Sequence, residues 1–141
     1  MKPIVPVSTI MSTHLIKLNI TDELTKAELL FKKNKIRHIP VVSGNTIVGM
    51  LSYTDLLRIS FADAVEEDEV VDVMVYNMFT IDQVMTKNLT TVSPNTSIKE
   101  VAEILSTKEF HALPVVEDKL LVGIVTTTDI IKYLLKQYTA S

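Results

Sequence analysis

The chain has 141 residues, 47 % of them hydrophobic, with a mean hydropathy of +0.28. It still has no run near the ~18 apolar residues of a membrane span, and its start, Met1-Lys2-Pro3-Ile4-Val5-Pro6, does not read as a signal peptide. A formal net charge of −3 argues against a nucleic-acid-binding surface, and the absence of cysteine excludes disulfide and thiolate chemistry and fits a cytoplasmic setting.

Taken in chain order, Leu15-Ile16-Lys17-Leu18 is a short alternating strand. Asp22 is placed to cap a helix whose apolar positions Leu24, Ala27, Leu30 and Phe31 share one face. Ile39–Val42 and Thr46–Leu51 are β-rich runs joined by Ser43-Gly44-Asn45, which reads as a hairpin. Thr54 would then cap a short helix beginning at Asp55.

Residues 61–80 do not repeat; they hold the acidic run Glu66-Glu67-Asp68-Glu69, which reads as a solvated linker. It lacks the glycine and the alternating oxygen spacing of a cation loop. The apolar stretch Val70–Tyr76 fits a helix or a strand packed across the molecule or on a partner subunit.

The plan then recurs. Leu89–Val92 is the lead strand, and Thr96 is placed to cap a helix with Ile98, Val101, Ile104 and Leu105 on one face. Leu113–Val116 and Leu120–Val125 form a hairpin around Glu117-Asp118-Lys119, and Thr128 would cap a last helix through Leu135. Pro40 and Pro114 stand near strand starts, which suits an edge.

The recurrence is literal. Ile36-Arg37-His38-Ile39-Pro40-Val41-Val42 returns as Phe110-His111-Ala112-Leu113-Pro114-Val115-Val116 after a constant offset of 74 positions. Gly49–Asp55 returns as Gly123–Asp129, and Met11 as Met85, at the same offset. A period without gaps means two copies of one structural unit. A unit of about 60 residues is marginal alone, so the copies are expected to pack as a pseudo-twofold pair with a ligand cleft between them.

Conventional catalytic motifs are missing. With three glycines in all, neither a phosphate loop nor a dinucleotide fingerprint can be written. His14, His38 and His111 lack zinc-ligand spacing; His14 reads as a surface residue and the methionines as core filler. No paired acid and base or activated nucleophile stands out, so an enzyme is not expected.

The doubled strand-to-helix corner remains: Ser52, Thr54 and Asp55 in one copy, Thr126, Thr128 and Asp129 in the other. Hydroxyls at a helix start suit a phosphate, and a carboxylate accepts from a sugar diol. The same pattern is also an ordinary helix cap, and both readings stand at this point. Arg37, His38 and His111 precede the apolar strands and are placed to face phosphate oxygens or solvent.

These motifs, with Thr9-Ile10-Met11-Ser12 and Gln83-Val84-Met85-Thr86 at the repeat entries, resemble a tandem pair of cystathionine-β-synthase (CBS) domains, a Bateman module. The resemblance covers nearly the whole chain. It implies an α/β (α+β) fold of two pseudo-symmetric β-α-β-β-α repeats: repeat 1 at 1–62, a linker at 63–80 and repeat 2 at 81–141. It further implies a non-enzymatic regulator, commonly a disc-shaped homodimer, that binds AMP, ADP, ATP or S-adenosylmethionine and acts on a partner protein in trans. No metal or obligatory cofactor is implied.

Carried over by position, Asp55 and Asp129 would hold the ribose. Ser52 and Thr126 would meet ribose or phosphate, with Thr54 and Thr128 alongside. Arg37, His38 and His111 would face the phosphates. Ile16, Lys17, Thr90 and Thr91 would meet the adenine edge, and Ile39, Pro40, Leu113 and Pro114 would flank the ring. The copies are not identical: Ala112 stands where the first has His38, and Asn19-Ile20 where the second has Ser93-Pro94.

Overall fold

A computed structural model describes residues 4–61 and 76–139. The acidic run and most of the apolar stretch after it lie outside the described residues. The chain divides into two compact units, residues 16–89 and residues 1–15 with 90–141.

Within residues 16–89 the elements are β1 (Leu18–Asn19), α1 (Leu24–Asn34), β2 (His38–Ser43), β3 (Thr46–Ser52), α2 (Tyr53–Phe61) and α3 (Ile81–Val84). Strand β1 pairs parallel with β2, Leu18 opposite Val41, and β2 pairs antiparallel with β3, with a register shift at Val41/Val42. Alternating apolar residues and helix stripes meet in one core of Leu18, Leu24, Ala27, Phe31, Ile39, Val41, Leu51, Leu56, Tyr76, Ile81 and Met85. The Phe31 and Tyr53 rings meet edge to face, centroids 5.5 Å apart, a favoured aromatic geometry.

The other unit holds a 3-10 turn (Val7–Thr9), α4 (Ile98–Thr107), β4 (Ala112–Glu117), β5 (Leu120–Thr126) and α5 (Thr127–Thr139). Strands β4 and β5 are antiparallel, with the same register shift one repeat on, at Val115/Val116. Val92 bridges Val115 in parallel, repeating the role of β1. Val7, Val92, Val101, Leu105, Leu113, Val115 and Val125 form its core.

The two hairpin turns differ. Gly44 alone has positive φ in the first, whereas Asp118 and Lys119 both do in the second. These are the φ signs of type II′ and type I′ turns, the two that match strand twist.

Each repeat entry is clasped by the Gly strand of the other copy. Ser12 exchanges two backbone hydrogen bonds with Ile124 (2.8 and 3.0 Å), and Thr86 does the same with Met50 (2.9 and 3.0 Å). Beside each bridge a methionine lies on a glycine, Met11 on Gly123 and Met85 on Gly49. A Cβ on Gly49 would lie 2.9 Å from both Cγ and Cε of Met85, so a larger residue there requires that side chain to move.

Four expectations need correction. Asp22 does not cap α1, because its carboxylate turns back to accept from the Asn19 N–H (2.8 Å) and Lys26 (3.1 Å); Glu23 is the N-cap residue and makes no side-chain cap. Ser97, not Thr96, caps α4 by accepting from the Glu100 N–H (3.0 Å), while Thr96 accepts from the Ser93 N–H. Thr54 and Thr128 do not cap α2 and α5, which start earlier, at Tyr53 and Thr127. Pro40 is not on an edge, since β2 lies between β1 and β3, whereas Pro114 stands on β4, the outer strand of its hairpin, where its carbonyl accepts from the Val92 N–H (3.2 Å). In a strand the N and C=O of one residue face the same neighbour, so the missing donor of Pro114 faces the short lead-in and leaves the hairpin ladder intact.

Candidate functional site

The corner arises where β3 runs into α2. Ser52 ends the strand, and its Oγ accepts from the Asp55 N–H (3.0 Å). In return, Asp55 Oδ2 accepts from the Ser52 N–H (3.1 Å). This is a reciprocal capping box, and it satisfies two donors that a helix start leaves orphaned. Thr126 and Asp129 repeat it, at 3.2 Å and 2.9 Å. A carboxylate in the first turn also complements the helix dipole.

The basic strand entry is tied to this corner. His38 lies opposite Ser52 across the ladder, and the Tyr53 N–H donates to the Arg37 carbonyl (2.8 Å). In the second copy Ala112 lies opposite Thr126, and the Thr127 N–H donates to the His111 carbonyl (2.9 Å). Each unit thus gathers a hydroxyl, a carboxylate and the residues of the strand entry at one end of its hairpin. One carboxylate oxygen is committed to the cap; the other is where a sugar hydroxyl could donate.

The remaining sequence candidates divide by burial. Arg37, Thr54, His111 and Thr128 are exposed, and Ser52, Asp55, Thr126 and Asp129 are half-buried. Ile16 and Thr90 are half-buried, Lys17 and Thr91 exposed. Ile39 and Leu113 are fully buried members of the two cores, so a ligand would meet them through backbone; Pro40 and Pro114 are buried as well. His14 is exposed, while Met50 and Met85 are core residues.

Two neighbours of the corner were not among the candidates. Tyr53 is the first residue of α2, and its backbone ties the helix to Arg37. Arg58 places Nη1 3.6 Å from Asp55 Oδ1; its signal was the acid–base pair at i, i+3 on a helix. Among the described residues no group of histidine, aspartate and glutamate side chains is placed to hold a metal, and no helix is long and apolar enough to cross a membrane.

The fold and the two corners define a duplicated α+β protein in which each copy presents the same strand-to-helix turn. The chain belongs to the CBS domain family, whose model matches residues 7–62 and 81–136. It is similar to AcuB from Vibrio cholerae, at 28 % identity and a TM-score of 0.81 over 99 % of this chain and 98 % of that one. It is similar to the CBS domain pair of MJ0100, whose crystal structure contains 5′-methylthioadenosine and S-adenosyl-L-methionine, at 27 % identity and a TM-score of 0.79 over 96 % and 99 %. The uncharacterized protein MJ1225 of Methanocaldococcus jannaschii is 31 % identical over 103 residues, 72 % of this chain. This chain spans only 37 % of MJ1225, and 19 % and 31 % of two further curated relatives.

Proposed function

We propose that this protein is a regulatory module that binds an adenosyl ligand (AMP, ADP, ATP or S-adenosylmethionine) at its strand-to-helix corners. It acts on a partner protein in trans and catalyses no reaction itself. The observation that carries the reading is the doubled corner, in which a hydroxyl and a carboxylate are held in register beside Arg37 and His38 or beside His111. A similar pair, that of MJ0100, is seen with adenosyl compounds.

The test is a dye-based thermal melt of the protein against AMP, ADP, ATP, GTP and S-adenosylmethionine. A ligand at 100 times its Kd adds about 2.7 kcal/mol, enough to raise the midpoint by several degrees. A rise with adenosyl compounds, lost on Asp55→Asn with Asp129→Asn, supports the reading. No rise with any of them at millimolar concentration refutes it.

One observation favours a second reading, a ligand-free scaffold that self-associates. On α5 the side chains Ile131, Leu134, Leu135 and Tyr138 are 51–75 % exposed. Their i, i+3, i+4, i+7 spacing makes one apolar stripe. The stripe supports a homodimer in either reading, and the melt separates the two.

A further inference from the structure

The two corners differ in charge. In residues 16–89, Lys33 is exposed in the last turn of α1, and Lys35 and Arg37 are exposed on the few residues that join α1 to β2. That segment is anchored at the corner by the Arg37 carbonyl, which accepts from Tyr53 at the start of α2. The positions 74 further on hold Thr107, Glu109 and His111, with exposed Lys108 where the first copy has Asn34, and the segment is anchored in the same way through His111 and Thr127.

The carboxylates differ too. Asp55 has Arg58 beside its outer oxygen at 3.6 Å, so its charge is compensated on the spot. Lys132 occupies the matching position, but among the described residues no basic side chain lies within ion-pairing distance of Asp129. A phosphate entering the first corner meets excess positive charge. In the second, Lys108 and Glu109 offset one another and the Asp129 carboxylate has no basic partner among the described residues, so an anion finds no excess positive charge there and a neutral or cationic group is favoured.

We propose that the corner of residues 16–89 takes adenosyl ligands that carry 5′-phosphates, and that the corner of residues 90–141 takes those whose 5′ substituent is uncharged or cationic, a thioether or a sulfonium. The assignment rests on the adenosyl reading above. It makes the protein a comparator of two ligand classes, each registered by its own repeat.

Isothermal titration of the full chain with AMP and with 5′-methylthioadenosine tests it, because the two share the nucleoside and differ at the 5′ position. In the Lys35→Gln/Arg37→Gln variant, AMP affinity falls about tenfold or more and 5′-methylthioadenosine affinity is unchanged. In Asp129→Asn the thioether weakens and AMP does not. AMP binding weakens from 50 to 500 mM KCl, roughly as a screened ion pair does, and thioether binding holds. AMP affinity unchanged in the double variant, or full competition of the two compounds for one site, overturns the assignment and leaves the adenosyl reading standing. If neither compound binds the wild-type chain, the adenosyl reading fails and the assignment with it.

Discussion

Replacing Gly49 with alanine would drive a methyl group into the thioether of Met85. All three nearest atoms belong to that side chain, with Sδ the closest and Cγ and Cε each 2.9 Å away. Relief requires Met85 to swing out. Met85 is 8 % exposed and packed in the core with Leu51 and Ile81, so the swing leaves a gap behind it. Overpacking of this kind costs about 1–3 kcal/mol. At roughly 4 °C per kcal/mol for a chain of this length, Gly49→Ala should melt about 4–12 °C below wild type. Met85→Ala alone empties the site and costs about 2–5 kcal/mol. In the double variant the new methyl takes up part of that space, so the total falls short of the sum by about 1–2 kcal/mol. Urea unfolding followed by circular dichroism on the four proteins of the cycle measures this coupling directly. A Gly49→Ala protein that melts with wild type, or a cycle additive to within about 0.5 kcal/mol, refutes the close packing of Met85 on Gly49. Gly123→Ala should cost less, because Met11 is only half-buried and its Sδ and Cγ stand 2.5 and 3.0 Å from the added carbon.

The capping boxes predict a graded series. Asp55→Ala and Asp129→Ala should each cost about 1 kcal/mol in a ligand-free melt, and the asparagine variants less, since an amide oxygen still accepts from Ser52 or Thr126; equal melts for all three residues would remove the cap. Asp22 predicts a pH effect. Burial pushes its carboxyl upward, but the Asn19 N–H and Lys26 outweigh this and hold it below its usual value of 3.8. A depressed folded-state pKa contributes stability that is present above 3.8 and lost as the pH falls through the folded value. Wild type should therefore be more stable than Asp22→Asn at neutral pH and converge with it in strong acid; parallel curves across that range would contradict the pairing. If the exposed stripe of α5 is the interface of the proposed homodimer, wild type should scatter light as a dimer and Leu134→Glu as a monomer; a monomeric wild type, or a variant of unchanged dimer mass, would refute that interface.

The hairpins were legible from sequence because β-branched runs, turn residues and the repeat agree. Ile39–Val42 and Leu113–Val116 each fall one residue short, at both ends, of the strands His38–Ser43 and Ala112–Glu117. The caps were harder. Ser52 and Thr54, or Thr126 and Thr128, are equally good cap residues by type, and the choice depends on where the strand stops, which ladder pairing sets. Asp22 failed for a related reason: an aspartate before a helix has several nearby donors, and Asn19 won. The corner was visible as a repeated hydroxyl–acid pattern, but its reciprocal hydrogen bonding was not. The charge at Arg58 lay one turn beyond the motif that drew attention. Met11 and Met85 were seen to recur, as were Gly49 and Gly123, yet an offset cannot say which methionine meets which glycine.

That crossed pairing shapes the order in which the chain can fold as it is made. Residues 16–89 emerge as one unbroken stretch, and Met85 can close on Gly49 as soon as it is synthesised. Met11, made long before, has to wait until Gly123 arrives, more than a hundred residues later. Until then the first residues are an unclaimed tether. The last repeat completes itself by reaching back for the oldest part of the chain, so premature termination before Gly123 would leave the entry at Met11 without its seat.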